Sequence, residues 1–161
     1  MATINGTAGD DGLAGTAGDD LINGGRGNDS LDDGDSPEGG PGGNDILNGG
    51  FGEDWLISTL GNDTLTGGAG HDVFSIRMGS GDARTVHVTD FDPATDVLQF
   101  NYNRYDGTLV TTATDQGVLF QYDRDGDGRF DVSVAVDTAE PVAMVDGHPD
   151  LSDWQIWGTG P

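Results

Sequence analysis

The chain has 161 residues, enough for one ordinary domain or two small cooperating ones. Its net charge of -23 comes from 29 acidic residues against six basic ones, all arginine, so it has no basic patch for nucleic acid or for insertion at an anionic membrane. Without cysteine there is no disulfide, thiolate metal site or cysteine nucleophile, and no segment has the length of a membrane span.

Glu38, Glu53 and Glu140 are the only glutamates; every other acid is aspartate. A solvated acidic face mixes the two, whereas short carboxylates among glycines suit oxygen ligation of a hard cation. Self-repulsion at this charge keeps a metal-free chain expanded. Met1 to Gly6 has neither a basic stretch nor an apolar core and is not a cleavable secretory signal.

Residues 1–75 hold 20 of the 29 glycines, and residues 76–161 hold most of the aromatics. The shift places a boundary near Ser75. The first part repeats every nine residues, and such repeats decide a fold before local propensity does. The units are 6–14, 15–23, 24–32, 40–48, 49–57, 58–66 and 67–75, with Asp33 to Gly39 as a seven-residue insertion read as a loop on one edge. Each unit has glycine in its fourth place. The sixth place is Asp11, Asp20, Asp29, Asp45, Asp54, Asp63 or Asp72, and the eighth is Leu13, Ile22, Leu31, Leu47, Leu56, Leu65 or Phe74.

Six glycine-rich residues make a tight turn with exposed carbonyls, and the next three make a short strand whose middle side chain points inward. Successive units return on opposite faces, so the eighth-place residues stack into a narrow core. Three apolar side chains per 27 residues cannot offset the ordering entropy of so many glycines. A ladder of cations between carboxylates and carbonyls would hold the turns.

The unit Gly-Gly-x-Gly-x-Asp-x-apolar-x resembles that of the RTX (repeats-in-toxin) hemolysin-type calcium-binding family. The resemblance implies an all-β fold: a right-handed parallel β-roll over residues 1–75, then a small antiparallel β cap over 76–161. It implies that turns two units apart share calcium through the sixth-place aspartates and glycine carbonyls. Units 24–32, 49–57 and 67–75 match in full, which carries over Gly24, Gly25, Gly27, Gly49, Gly50, Gly52, Gly67, Gly68 and Gly70 as carbonyl ligands. Thr7 and Thr16 in the second place are a mild departure, because a carbonyl remains; Ser58, Thr59 and Leu60 put the 58–66 site in doubt. Pairing Asp11, Asp29, Asp54 and Asp72 on one edge and Asp20, Asp45 and Asp63 on the other gives about five calcium ions or more.

Residues 72–78, 85–91, 96–102, 108–122 and 130–137 read as antiparallel strands separated by Gly/Asp turns. Val86 to Leu98 resembles the segment that closes the roll in serralysin-type RTX proteins, which implies Asp90 and Asp96 as further calcium ligands. The family also implies type I secretion by an uncleaved C-terminal signal, and so an extracellular or cell-surface location, although Trp157 to Pro161 lacks the acidic-then-hydrophobic ending of serralysins.

Asp123-Arg124-Asp125-Gly126-Asp127-Gly128 begins like a calcium loop but has Val134 where an EF-hand needs its bidentate acid, so it reads as a hairpin, with a weak calcium site using Asp131 as the alternative. His71, His87 and His148 fit no metal or catalytic pattern, and no catalytic site is expected. Trp55, Ile57 and Val73 make an outer apolar patch, read either as packing under the cap or as a self-association surface. Met1 to Asn5 is too short to cover the apolar end left by Leu13 and Ile22, which points to end-to-end association as well. The repeats trail no other domain in this chain, so its function is expected to reside in the roll and its cap. The expectation is a secreted calcium-dependent structural protein of adhesion, biofilm matrix or surface layer that self-associates. The alternative is a calcium-dependent polysaccharide-binding module of a larger secreted enzyme, such as an alginate epimerase.

Overall fold

The computed structural model describes residues 1–35, 42–78, 83–101, 107–139, 141–146 and 148–159. Residues 36–39 of the expected insertion loop, Gly40 and Pro41 of the unit that follows it, Tyr102 of an expected strand, and Gly160 and Pro161 lie outside them. The described residues form sixteen strands and no helix. In the repeats these are β1 (Thr3–Asn5), β2 (Gly12–Ala14), β3 (Leu21–Arg26), β4 (Ser30–Asp32), β5 (Ile46–Phe51), β6 (Trp55–Ser58), β7 (Thr64–Ala69) and β8 (Val73–Arg77). Then come β9 (Arg84–Phe91), β10 (Val97–Asn101), β11 (Thr108–Ala113), β12 (Gly117–Asp123), β13 (Val132–Thr138), β14 (Met144–Val145), β15 (His148–Pro149) and β16 (Gln155–Thr159).

Odd and even repeat strands separate into two parallel sheets, as a half-coil per unit requires. One runs β1-β3-β5-β7-β9 and continues through β13, β12 and β11; the other runs β2-β4-β6-β8-β10-β16. Registers align the eighth places. Ile4, Ile22, Leu47, Leu65 and Val88 form one inward row. Leu13, Leu31, Leu56, Phe74, Leu98 and Ile156 form the other. Ile22, Leu31, Leu47, Leu56, Leu65 and Phe74 are fully buried, and each buried Leu or Ile of this kind is worth about 1.5–3 kcal/mol.

Two expectations need correction. The parallel ladder does not stop at Ser75: β9 pairs with β7 and β10 with β8, both in parallel, and among the described residues the antiparallel reading holds for the β11-β12-β13 meander and the small β14-β15 pair. Val86 and Val88, and Leu98 and Phe100, keep the period-two inward pattern after the glycines have gone, so they dock on the same rows. The composition shift marks a change of turn chemistry, not the end of the roll. The segment Met1 to Asn5 does cover the core beside it. It supplies β1, whose Ile4 lies beside Ile22, and Ile22 has no exposed surface.

Beyond the repeats the core widens around aromatics. Trp154 lies against Phe91 and Phe120, with ring centroids 4.9 and 6.2 Å apart, and so belongs to the core. His87 Nε2 is 2.7 Å from Asp137 Oδ2 and ties β9 to β13.

Candidate metal centres

The turns bring the sixth-place aspartates together in two rows, one along each edge. Along one edge the Asp11 N–H donates to Asp29 Oδ1 (2.8 Å), Asp29 to Asp54 (2.8 Å), Asp54 to Asp72 (2.9 Å) and Asp72 to Asp96 (3.1 Å). Along the other the Ala2 N–H donates to Asp20 Oδ1, Asp20 to Asp45 (2.7 Å) and Asp45 to Asp63 (3.0 Å). Each Oδ1 thus locks one coil to the next. Asp90 takes a different part: its two carboxylate oxygens accept the N–H groups of Gly67 and Gly68 at 2.9 and 2.8 Å.

The second oxygen sorts the aspartates. Oδ2 of Asp29, Asp45 and Asp54 is buried with no hydrogen-bond partner. Oδ2 of Asp11 accepts from the N–H and hydroxyl of Thr7 at 2.6 and 2.9 Å, and Oδ2 of Asp20 from those of Thr16, both at 2.7 Å. Ser58 Oγ donates to Asp63 Oδ2 at 2.6 Å, and the Asp92 N–H to Asp96 Oδ2 at 2.9 Å. Between the glycine turns of Asp29 and Asp54 and the threonine turns of Asp11 and Asp20, the cause lies in the second place. Gly25, Gly50 and Gly68 stand at φ of 109°, 117° and 106°, which threonine cannot adopt cheaply. A threonine turn therefore aims its own N–H and hydroxyl at the carboxylate. Thr7 and Thr16 depart from the motif more than a retained carbonyl suggests.

A buried carboxylate oxygen without a donor costs about 1–3 kcal/mol or more, so Asp29, Asp45 and Asp54 call for a cation. The glycine turns have the matching shape. A Cβ on Gly24 would stand 2.4 Å from Asp29 Oδ2 and 2.6 Å from the Gly49 carbonyl oxygen; one on Gly49 would stand 2.4 Å from Asp54 Oδ2 and 2.6 Å from the Gly67 carbonyl oxygen. Gly67 stands likewise beside Asp72 Oδ2 at 2.4 Å. The fourth-place residues Gly27, Gly52 and Gly70, at φ of 109°, 133° and 143°, complete the turns. Carboxylate and carbonyl oxygens converging without nitrogen or sulfur fit calcium.

Electrostatics agree. Burial pushes the Asp45 carboxyl up to about 7 and that of Asp72 to about 6, and it raises Asp54, Asp63 and Asp96. The N–H of Ala2 and the Thr16 hydroxyl hold Asp20 below its ordinary value.

The insertion enters the turn instead of preceding it. The Asp33 N–H donates to Ile57 O as Gly15 does to Asp32 O, which sets Asp33 in the first place of the fourth unit. The Gly34 N–H donates to Asp32 Oδ1, and Gly43 and Asn44 resume the turn before Asp45. Asp33 is fully buried, and its carboxyl is pushed up to about 7.

Two further ladders went unread in the sequence. Fifth-place residues form one: the Asn28 N–H donates to Asp10 Oδ1 and the Glu53 N–H to Asn28 Oδ1; opposite, Asn44 donates to Asp19, Asn62 to Asn44 and Thr85 to Asn62. Ninth-place amides form the other, Asn48 Nδ2 to Asn23 Oδ1 and Asn23 Nδ2 to Asn5 Oδ1 at 2.9 and 2.8 Å. The recurring Asp/Asn of the fifth place and Asn of the ninth were the available signal.

Asp123 accepts from the N–H groups of Gly126 and Gly128, and Asp131 from that of Arg124, which forms the hairpin between β12 and β13. Asp123, Asp125 and Asp131 do gather within 4.8 Å. Trp55 lies beside Val73 across β6 and β8 and is 49% exposed, so the cap does not cover it; Phe51, under the Arg26 guanidinium, is 63% exposed.

The family model of the RTX calcium-binding nonapeptide repeat matches in four copies over residues 3–32 and 40–74. The chain is similar to two solved structures from the Azotobacter vinelandii mannuronan C5-epimerase. The AlgE6R2 subunit is 31% identical, with 88% of this chain and 95% of that chain covered, at a TM-score of 0.34. The AlgE6R3 subunit is 24% identical, with 90% and 92% covered, at 0.31. No curated protein matches.

Proposed function

The chain belongs to the RTX calcium-binding nonapeptide-repeat family, and from that premise we propose that it is a secreted, non-catalytic structural protein whose fold is switched on by extracellular calcium. Its roles would be those of an adhesion, biofilm-matrix or surface-layer protein that associates with itself once folded. The single observation behind this reading is the set of buried, unpartnered oxygens on Asp29, Asp45 and Asp54. They make the metal-free fold costly, and a divalent cation removes the cost.

Asp29, Asp54 and Asp72 would hold the ions on one edge, together with carbonyls from Gly24, Gly25, Gly27, Gly49, Gly50, Gly52, Gly67, Gly68 and Gly70. Asp45 would do so on the other. The turns of Asp11, Asp20 and Asp63 bring their own donors and would bind more weakly. Extracellular modules bind calcium at about 10⁻⁴–10⁻³ M, so such a chain stays unfolded where calcium is scarce and orders outside the cell. The exposed Phe51 and Trp55 support a contact surface, and calcium screens the charge of -23 between copies. Negative-stain microscopy with and without calcium tests the role. Filaments or sheets support it; a monodisperse monomer that binds a polyuronate replaces it with the polysaccharide-binding reading.

A further inference from the structure

The expanded turn of the fourth unit contains carboxylates that the repeat motif does not supply. Asp33, Asp35 and Asp45 are 0%, 8% and 1% exposed, and one carboxylate oxygen from each lies within 4.8 Å of the others. Their hydrogen bonds leave a gap at the centre. Asp33 accepts from the N–H groups of Thr59, Leu60 and Asp35, and Asp35 Oδ2 accepts from Gly43. Asp35 Oδ1 and Asp45 Oδ2 are left buried without a donor. Asp63 and the buried Arg84 guanidinium complete the surroundings, so that four carboxyl groups face one guanidinium. Arg84 Nη2 donates to the Arg77 carbonyl, and its Nη1 is buried without a hydrogen-bond partner.

We propose that Asp33, Asp35 and Asp45 form a side-chain calcium site of their own, distinct from the glycine-carbonyl cradles of the opposite edge. Two ligands on opposite sides of one calcium ion stand about twice 2.4 Å apart, and three carboxylates offer up to six of the six to eight oxygens the ion takes. A pocket of about 260 Å³ is lined by Gly42, Leu60, Gly61 and Arg84, and Gly42 lies beside Asp35 Oδ2. The insertion is then the element that restores a metal site where Asp33 has displaced the first-place glycine.

This site rests on the calcium-gated fold proposed above, so the wild-type chain is the control for both. Bound calcium per chain is counted by equilibrium dialysis with calcium alone for the wild type, D35N and D32N; Asp32 is the charge-matched neighbour outside the cluster. D35N should fold in excess calcium and bind one ion fewer than the wild type and D32N. An unchanged count in D35N overturns the site alone, and a wild type that binds no calcium overturns the calcium-gated fold itself. If D35N does not fold, anomalous diffraction from calcium-grown wild-type crystals decides: a peak bonded to Asp33 and Asp35 supports the site, and peaks confined to the glycine turns overturn it.

Discussion

The Asp29 N–H donates to Asp54 Oδ1 at 2.8 Å, while Oδ2 of the same Asp54 carboxylate is buried and has no donor. One oxygen belongs to the backbone ladder and the other is left for a cation. Asp11, at the start of the same row, has its Oδ2 filled by Thr7. Asp54→Ala should therefore raise the calcium midpoint of folding by about tenfold or more, since hydrogen bonds to a charged group are worth ~1.5–3 kcal/mol, and Asp11→Ala should move it far less. Calcium titrations followed by circular dichroism compare the two. Coincident midpoints and slopes would show that the aspartates do not differ in this way.

Acid should substitute in part for calcium. The carboxyls of Asp33 and Asp45 are raised to about 7 and that of Asp72 to about 6, against an ordinary value of 3.8. Raised carboxyls bind protons more tightly in the folded chain than in the unfolded one. The stability they contribute is complete below the unfolded value and is lost as pH rises through 6 to 7. In chelator, the β signal should grow as pH falls from 8 to 5, and the calcium needed to reach the folding midpoint should fall over the same window, because protons on these carboxyls stabilise the same folded state. A chelated sample with the same spectrum at pH 8 and pH 5 contradicts this.

The asparagine ladder should contribute measurable stability to the calcium-loaded fold. Asn23 donates to Asn5 and accepts from Asn48, so Asn23→Ala removes two bonds and Asn5→Ala removes one. At about 0.5–1.5 kcal/mol per bond, Asn23→Ala should lower the thermal midpoint by roughly twice as much as Asn5→Ala. Equal midpoints for both variants and the wild type would rule the ladder out as a source of stability.

If the exposed side chains of Phe51 and Trp55 make the contact surface, they are needed for association and not for folding. Phe51→Ser with Trp55→Ser should abolish calcium-dependent light scattering and leave the calcium-induced β spectrum in place, because both side chains are largely exposed. Scattering that persists in the double variant moves the contact elsewhere.

The repeat was legible because its period places chemically distinct residues at fixed points: Asp29 and Asp54, or Leu31 and Leu56, could be paired from spacing alone, and the structure pairs them. Elsewhere the same spacing was silent. Thr16 differs from Gly25 by one side chain, yet its φ restriction redirects a backbone N–H onto Asp20 and changes what that carboxylate needs. Val86-Val88 and Leu98-Phe100 continue the parallel ladder without any glycine to announce it. Asp33 carries no first-place glycine to mark it in the sequence, although its backbone occupies that place.

A calcium titration of the wild-type chain from chelator to millimolar, followed by far-ultraviolet circular dichroism with magnesium in parallel, tests the central claim most directly. The predicted result is a coil spectrum in chelator and in magnesium, converting cooperatively to a β spectrum as calcium fills the turns of Asp29, Asp45 and Asp54. An unchanged β spectrum in chelator would contradict it.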